Sequence, residues 1–235
     1  ALRIYFALLV SILYHIKINE MKKSLKMFSL SILIFTLFSC NHKNIVEKST
    51  SQLVTKTVKK PNIIYILADD LGYGDLSSYG QEKFNTPNID KLVSQGLMFT
   101  QHYAGNTAPS RSALLTGMHT GHTPVRGNKE VQPEGQYPIP DATYTLAESL
   151  KKGGYVTGAF GKWGLGYPGS EGDPVYQGFD VFYGYNCQRL GHNYYPNHLW
   201  SNRDSIALTG NDNHQKGQYA PNLIQSEALE FFPAI

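Results

Sequence analysis

The run Asn62-Ile63-Ile64-Tyr65-Ile66-Leu67-Ala68, bounded by Pro61 and ended by Asp69-Asp70, constrains this chain more than any other feature. It is continuously apolar, without the polar-apolar alternation of a half-exposed strand. Such a run predicts a strand buried on both faces, the environment of a parallel sheet covered by helices. Two carboxylates at the end of that strand stand where α/β sheets place their ligand sites. Together they offer hard oxygen donors suited to Ca²⁺, with Mg²⁺ as the alternative. Buried side by side without a cation they would repel each other and bind protons more readily. The plainer alternative is a solvated turn leading into Leu71-Gly72-Tyr73-Gly74.

Downstream, the punctuation alternates helix and strand. Thr86-Pro87 to Leu92 opens a helix with a cap and an early proline, and Gly96 closes it. Leu97 to Tyr103 reads as a second strand, and Pro109 to Leu115 as a helix stopped by Gly117. Tyr144 to Lys152 reads as a helix closed by Gly153-Gly154, and Tyr155 to Phe160 as another strand. This order predicts an α/β fold with a mostly parallel central sheet flanked by helices. Residues 166–219 are rich in Gly, Tyr and Asn with little periodicity, and read as a long lid or binding loop. Ser226 to Phe232 begins a further helix, no internal repeat is visible, and residues 61–235 read as an incomplete domain.

Charge separates the first sixty residues from the rest. They hold 10 Lys/Arg against 2 Asp/Glu, leaving 11 against 16 for residues 61–235 out of totals of 21 and 18. The folded part is therefore acidic, which excludes a basic nucleic-acid footprint. From Met21 a lysine-rich start, an apolar stretch from Met27 to Phe38 and Ser39-Cys40 form an export signal too short to span a bilayer. Leu37-Phe38-Ser39-Cys40 resembles a bacterial lipobox, and a plain secretory signal is the alternative. The expectation is an exported bacterial protein, periplasmic or on the cell surface, with membrane contact only through an N-terminal lipid anchor. Residues 1–20 read as upstream or non-structural sequence, residues 21–40 as the signal and residues 41–60 as a flexible tether. Two cysteines exclude a disulfide framework, and Cys187, alone in the folded part, reads as a buried small hydrophobe.

Two further segments carry chemistry. Ala108 to Gly117 (APSRSALLTG) puts free N–H donors and Arg111 at a helix start, a natural anion site; a capped helix with a surface arginine is the alternative. Gly154 to Gly166 (GYVTGAFGKWGLG) runs a strand into a glycine-flanked Lys162-Trp163, where backbone can approach an anion closely; a solvated lysine beside a packed tryptophan is the alternative.

These segments, in this order with Pro61 to Asp70, resemble the type I, formylglycine-dependent sulfatases of the alkaline phosphatase superfamily. The resemblance covers about residues 61–200, the N-terminal part of the catalytic domain. It implies that Asp69 and Asp70 bind Ca²⁺, that Arg111 orients the nucleophile and that Lys162 contacts the sulfate. The run Gln177-Gly178-Phe179-Asp180 to Tyr185, with Cys187-Gln188-Arg189 and His192 to Pro196, is similar to bacterial sulfatases acting on sulfated sugars. His119, Gln188, Arg189 and His192 are the substrate-binding candidates, and a sulfated carbohydrate is the implied partner.

The sequence departs from the family in three ways. Thr107 stands where a formylglycine precursor, Cys or Ser, is expected, and threonine cannot yield the aldehyde because its carbinol carbon carries a methyl group. Gly164 replaces a histidine that often follows the Lys-Trp pair. The later histidine, the remaining Asp/Asn ligands and the smaller C-terminal domain are not found. The implied function is Ca²⁺-dependent hydrolysis of a carbohydrate or aryl sulfate ester, with this chain inactive as written. The alternatives are a phosphodiesterase or phosphatase using the Thr107 hydroxyl, and a non-catalytic sulfated-glycan binding protein.

Overall fold

The computed structural model describes residues 60–232. The upstream segment, the signal and all but the last residue of the tether lie outside the described residues. Residues 60–64 belong to the N-terminal of two compact units, carry no regular secondary structure and are exposed; residues 65–232 belong to the other.

In the second unit, four strands form one sheet in the order β3-β4-β5-β6. These are β3 (Gly158–Lys162), β4 (Val181–Tyr185), β5 (His198–Ser201) and β6 (Asp204–Ala207). β3 and β4 pair in parallel, whereas β4-β5 and β5-β6 are antiparallel. A short hairpin of β1 (Glu130–Val131) and β2 (Gly135–Gln136) stands apart from this sheet. The helices are α1 (Pro87–Gln95), α2 (Thr107–Thr116), α3 (Leu146–Lys152) and α4 (Ala220–Phe231).

The period of two along the strands separates two cores. Phe182 packs with Ala108, Leu115, Val125, Ile139, Trp163 and Leu165, so the α2 side of the sheet holds one core. Its neighbours Tyr183 and Tyr185 point the other way, to Leu199, Leu208 and Ala220. There α4 covers the sheet, with the Phe231 ring 5.5 Å from that of Phe160. Burial of a side chain such as Phe182, 2 % exposed, stabilises by roughly 1.5–3 kcal/mol. Gly184 faces Gly161 across the parallel ladder with φ 151°, and a Cβ on it would lie 1.9 Å from the Gly161 carbonyl oxygen, so only glycine fits.

Parallel strands need a crossover, and here it is irregular chain through residues 163–180. Asp180 accepts from Thr157 N at 3.0 Å and Thr157 Oγ1 at 3.0 Å, which pins the N-terminal ends of β3 and β4 together. Within it, buried Asp173 accepts from Gly169 N, Val175 N and Arg203 Nε at 2.8, 2.9 and 2.8 Å. Trp163 Nε1 donates to Gly172 O at 2.8 Å, and its ring meets Phe179 and Phe182 edge-on.

Helices α1 to α3 fall close to their expected places because their signals are local, whereas α4 begins at Ala220 and not at the expected Ser226. Gly117 takes φ 68° to stop α2, and Thr145 and Glu148 form a capping box on α3. Three strand expectations change. Asn62–Ala68 forms no strand; Ile66 is 82 % exposed, and no pairing to this run is seen among the described residues. An apolar run becomes a buried strand only with a neighbour to bond and a layer to cover it. Leu97–Tyr103 is likewise no strand, and its carbonyls at Phe99 and Thr100 accept from the Tyr79 and Tyr73 hydroxyls instead. The third strand starts at Gly158, not Tyr155, because Gly154 N and Tyr155 N still bond back to Lys151 O and Leu150 O of α3. Finally, residues 166–219 are not one loop: they contain β4, β5, β6 and two 3₁₀ turns.

Candidate active site

Arg111 and Lys162 meet at the carboxyl end of β3. Arg111 Nε donates to Lys162 O at 3.0 Å, across 51 residues of sequence, and its NH1 donates to Thr107 O at 3.0 Å. One side chain therefore ties the start of α2 to the end of β3. Both cations are largely enclosed, with side-chain exposures of 13 % for Arg111 and 10 % for Lys162. Asp69, 54 % exposed, closes the group: its Oδ2 accepts from Lys162 Nζ at 2.5 Å, and its Oδ1 lies 3.9 Å from Arg111 NH2.

The electrostatics follow from these contacts. The bond from Lys162 holds the Asp69 carboxyl below the usual carboxylate value, against a smaller upward push from burial; Arg111 and His192 add to the lowering. Burial pushes the Arg111 guanidinium down, and Asp69 opposes that. Two enclosed cations facing one exposed carboxylate make an anion cradle. Of the two cations, Arg111 has the planar fork suited to an oxyanion's paired oxygens, and Lys162 supplies a point charge.

The remaining candidates divide. His192 ends the 3₁₀ turn Leu190–His192, next to this group: a Cβ on Gly191 would lie 2.5 Å from Lys162 Cδ, so the turn rests directly on the lysine stem. Thr107 touches the site through its backbone carbonyl. Asp70 adjoins Asp69 with left-handed backbone at φ 56°. Gln188 is 5 % exposed and lies over Gly164, where a Cβ would come 1.9 Å from Gln188 Nε2. The glycine that replaces the expected histidine thus leaves space that Gln188 fills. Arg189 turns toward the β1-β2 hairpin, donating to Pro133 O at 2.8 Å with Glu130 3.7 Å away. His119 stays in the exposed turn after α2, its Nδ1 accepting from Gly121 N at 3.1 Å.

Asp69 and Asp70 have the hard oxygen chemistry of a Ca²⁺ or Mg²⁺ ligand pair. Among the described residues, however, no three His, Cys, Asp or Glu side chains come together as a metal site. Both aspartates are exposed, not enclosed behind a buried strand as expected, and Asp69 is directed to Lys162, the nearest enclosed positive charge. The pair alone does not make a complete shell.

Sequence reasoning missed Glu134, which accepts from His198 Nε2 at 2.9 Å and Trp200 Nε1 at 2.8 Å. It also missed Gln136, fully buried, whose Oε1 accepts from Gln188 N at 3.1 Å. Both sit in a polar turn sequence that carries no signal for burial.

Comparison with known proteins bears on this geometry. The family model described as Sulfatase matches residues 61–231. The N-acetylgalactosamine-6-O-sulfatase of Bacteroides thetaiotaomicron is 44 % identical over 169 residues, covering 68 % of this chain and 30 % of that protein. The crystal structure of Ps i-CgsB superposes with a TM-score of 0.62 at 28 % identity, over 75 % of this chain and 42 % of that one. BT4656 in complex with its substrate D-glucosamine-2-N,6-O-disulfate superposes with a TM-score of 0.59 at 28 % identity, over 74 % and 31 %. The chain thus spans less than half the length of each of these proteins.

Proposed function

This chain belongs to the sulfatase family, and we propose that the Arg111–Lys162 cradle receives the sulfuryl group of a carbohydrate sulfate ester. The observation that carries the reading is the bond from Arg111 Nε to Lys162 O, which joins the two signature segments into one enclosed, doubly positive site. Positive charge fixed there before substrate arrives offsets charge on the sulfuryl oxygens as the ester bond breaks. The relative from Bacteroides thetaiotaomicron and the substrate bound to BT4656 support a sulfated amino sugar as the class. The test is calorimetric titration with N-acetylgalactosamine 6-sulfate. Saturable binding, lost in Lys162→Ala and not seen with unsulfated N-acetylgalactosamine, is expected; equal binding of the two sugars refutes the reading.

Asp69 and Asp70 are the residues we assign to a divalent cation, with Ca²⁺ preferred and Mg²⁺ as the alternative. A cation there would add positive charge beside the cradle. Ca²⁺ takes 6–8 oxygen ligands, so it needs donors beyond these two carboxylates.

Thr107 occupies the position of the formylglycine precursor and cannot supply the aldehyde. The chain as written is therefore expected not to turn over 4-nitrocatechol sulfate, and measurable hydrolysis would sink that claim. Without turnover, it acts on sulfated glycans by binding without cleavage. One observation favours a second reading: Thr107 is the first residue of α2 and its carbonyl is held by Arg111, which sets its hydroxyl in the same turn as an anion-binding arginine. Hydrolysis of a phosphate diester, abolished by Thr107→Ala, would decide for the phosphodiesterase. Export, with a lipid anchor at Cys40, is our reading of the leader; incorporation of labelled palmitate that Cys40→Ala abolishes tests it.

A further inference from the structure

Glu134 lies in the bend between β1 and β2, yet its side chain is only 17 % exposed and both carboxylate oxygens are engaged. Oε2 accepts from His198 Nε2 at 2.9 Å and Oε1 from Trp200 Nε1 at 2.8 Å. Enclosing a carboxylate costs free energy unless hydrogen bonds replace its water, and here both bonds come from β5. That strand is firmly held. His198 and Trp200 pair with Ala207 and Ser205 of β6, and Trp200 packs against the core around Phe182. The His198 ring is fixed as well, with Nδ1 2.8 Å from Asn197 Oδ1 and its face edge-on to Trp200.

The hairpin that this carboxylate holds has only two residue pairs, Glu130 with Gln136 and Val131 with Gly135. A hairpin so small does not stand alone in water, so its place depends on what it is fastened to. From β5 it reaches across to the segment that follows β4. Gln136 Oε1 accepts from Gln188 N at 3.1 Å, Glu134 O from Asn186 Nδ2 at 3.3 Å and Pro133 O from Arg189 NH2 at 2.8 Å. That segment continues into the 3₁₀ turn Leu190–His192, where Gly191 rests on the Lys162 stem. A line of contacts thus leads from the sheet, through Glu134 and the hairpin, to the lysine of the cradle.

We infer that Glu134 is a positioning residue for the anion cradle. It fastens the β1-β2 hairpin to β5, and the hairpin keeps the turn at Gly191 pressed on Lys162, so that the ammonium stays enclosed and aimed. The consequence for sulfate binding rests on the cradle reading; the consequence for the Lys162 side chain does not.

Acylation of the whole chain with sulfo-N-hydroxysuccinimide acetate, without ligand and read site by site by peptide mass mapping, tests the role. Glu134→Ala should raise the Lys162 rate about fivefold or more by freeing the turn to open locally. Glu134→Gln should stay within about twofold of wild type, because its Oε1 still accepts from Trp200 and its amide donates to His198 Nε2. Thr145→Ala, which removes the α3 cap, is a destabilised control and should leave the Lys162 rate unchanged. Arg189→Ala should also raise that rate, and combining it with Glu134→Ala should add little, since both cut one line of contacts. In calorimetric titration with N-acetylgalactosamine 6-sulfate, Glu134→Ala should lose about tenfold in affinity and Glu134→Gln should recover it. A Lys162 rate that is unchanged in Glu134→Ala, equalled by Thr145→Ala or not restored in Glu134→Gln refutes the positioning role, as does additive loosening by the two alanine variants. If labelling follows expectation but the wild-type chain binds no sulfated sugar, Glu134 holds the turn and the cradle is refuted. If the wild type binds, Lys162→Ala does not, and Glu134→Ala binds as the wild type does, the cradle stands and the positioning role is refuted.

Discussion

Replacing Asp69 by asparagine should make the chain bind inorganic sulfate more tightly in buffer containing EDTA. In the structure the Asp69 carboxylate occupies Lys162 Nζ at 2.5 Å and stands 3.9 Å from Arg111, so an oxyanion must compete with a resident anion. Unit charges at 4 Å interact by about 1 kcal/mol in bulk water and about 4 kcal/mol near a protein surface. Asp69 is 54 % exposed, which screens the pair, and exposed pairs yield about 0.2–1 kcal/mol. Taking about 1 kcal/mol gives roughly a fivefold gain in affinity by the tenfold-per-1.4 kcal/mol conversion. Asp70→Asn changes net charge equally at the adjacent residue, for which no ion pair is seen among the described residues, so it should gain much less. The assay is sulfate titration followed by calorimetry or by the rise in melting temperature. Equal gains in the two variants would show general charge repulsion, and no gain in Asp69→Asn would show that Asp69 does not contest the cradle; either result refutes the argument.

Other expectations concern the frame that holds the site. Phe182→Ala empties a position walled by Trp163 and the α2 side of the core, and should cost about 3–5 kcal/mol in urea unfolding. Burial pushes the Asp180 carboxyl up, but the bond from Lys151 and those from Thr157 outweigh it, so the folded group protonates at lower pH than the unfolded one. Its contribution to stability is therefore complete above the unfolded value of about 3.9 and is lost as pH falls through the lower folded value. Asp180→Asn should flatten this limb below about pH 4, which urea midpoints between pH 3 and 5 will read. Burial pushes the Cys187 thiol up, so it should resist iodoacetamide at pH 7.5 in the folded chain and react on unfolding, as peptide mass mapping will show.

What the sequence disclosed depended on the range of the cause. Helix α2 was legible because Gly117 and the proline-containing start act within a turn, and the box of Thr145 and Glu148 likewise marks α3. Arg111 and Lys162 were legible as members of two signature segments, but their meeting was not, because 51 residues separate the atoms that bond. Asn62–Ala68 misled because an apolar run reports a capacity for burial and carries no information on the partner that would realise it. β5 and β6 were hidden by their length: four residues each, joined at Asn202-Arg203, give too few alternations to distinguish a hairpin from a loop. The burial of Asn211 was hidden for a related reason, since its three bonds reach back to Pro196 and forward to Gln218.

The pinning of Thr157 to Asp180 has a consequence for how the molecule opens. Thr157 Oγ1 also donates to Gly178 O at 2.6 Å, and the Thr157 carbonyl accepts from Asp180 N and Val181 N. β3 and the crossover thus form a closed loop with a knot of bonds at its neck and Trp163 Nε1 bonded to Gly172 inside it. Amide protons at the neck and along β3 and β4 should exchange together, as one cooperative unit, while those of exposed residues on the loop should exchange individually, as native-state hydrogen exchange will show. A protease cut at such an exposed residue should sever the chain without parting the strands, leaving Lys162 held against α2 in a nicked but assembled protein.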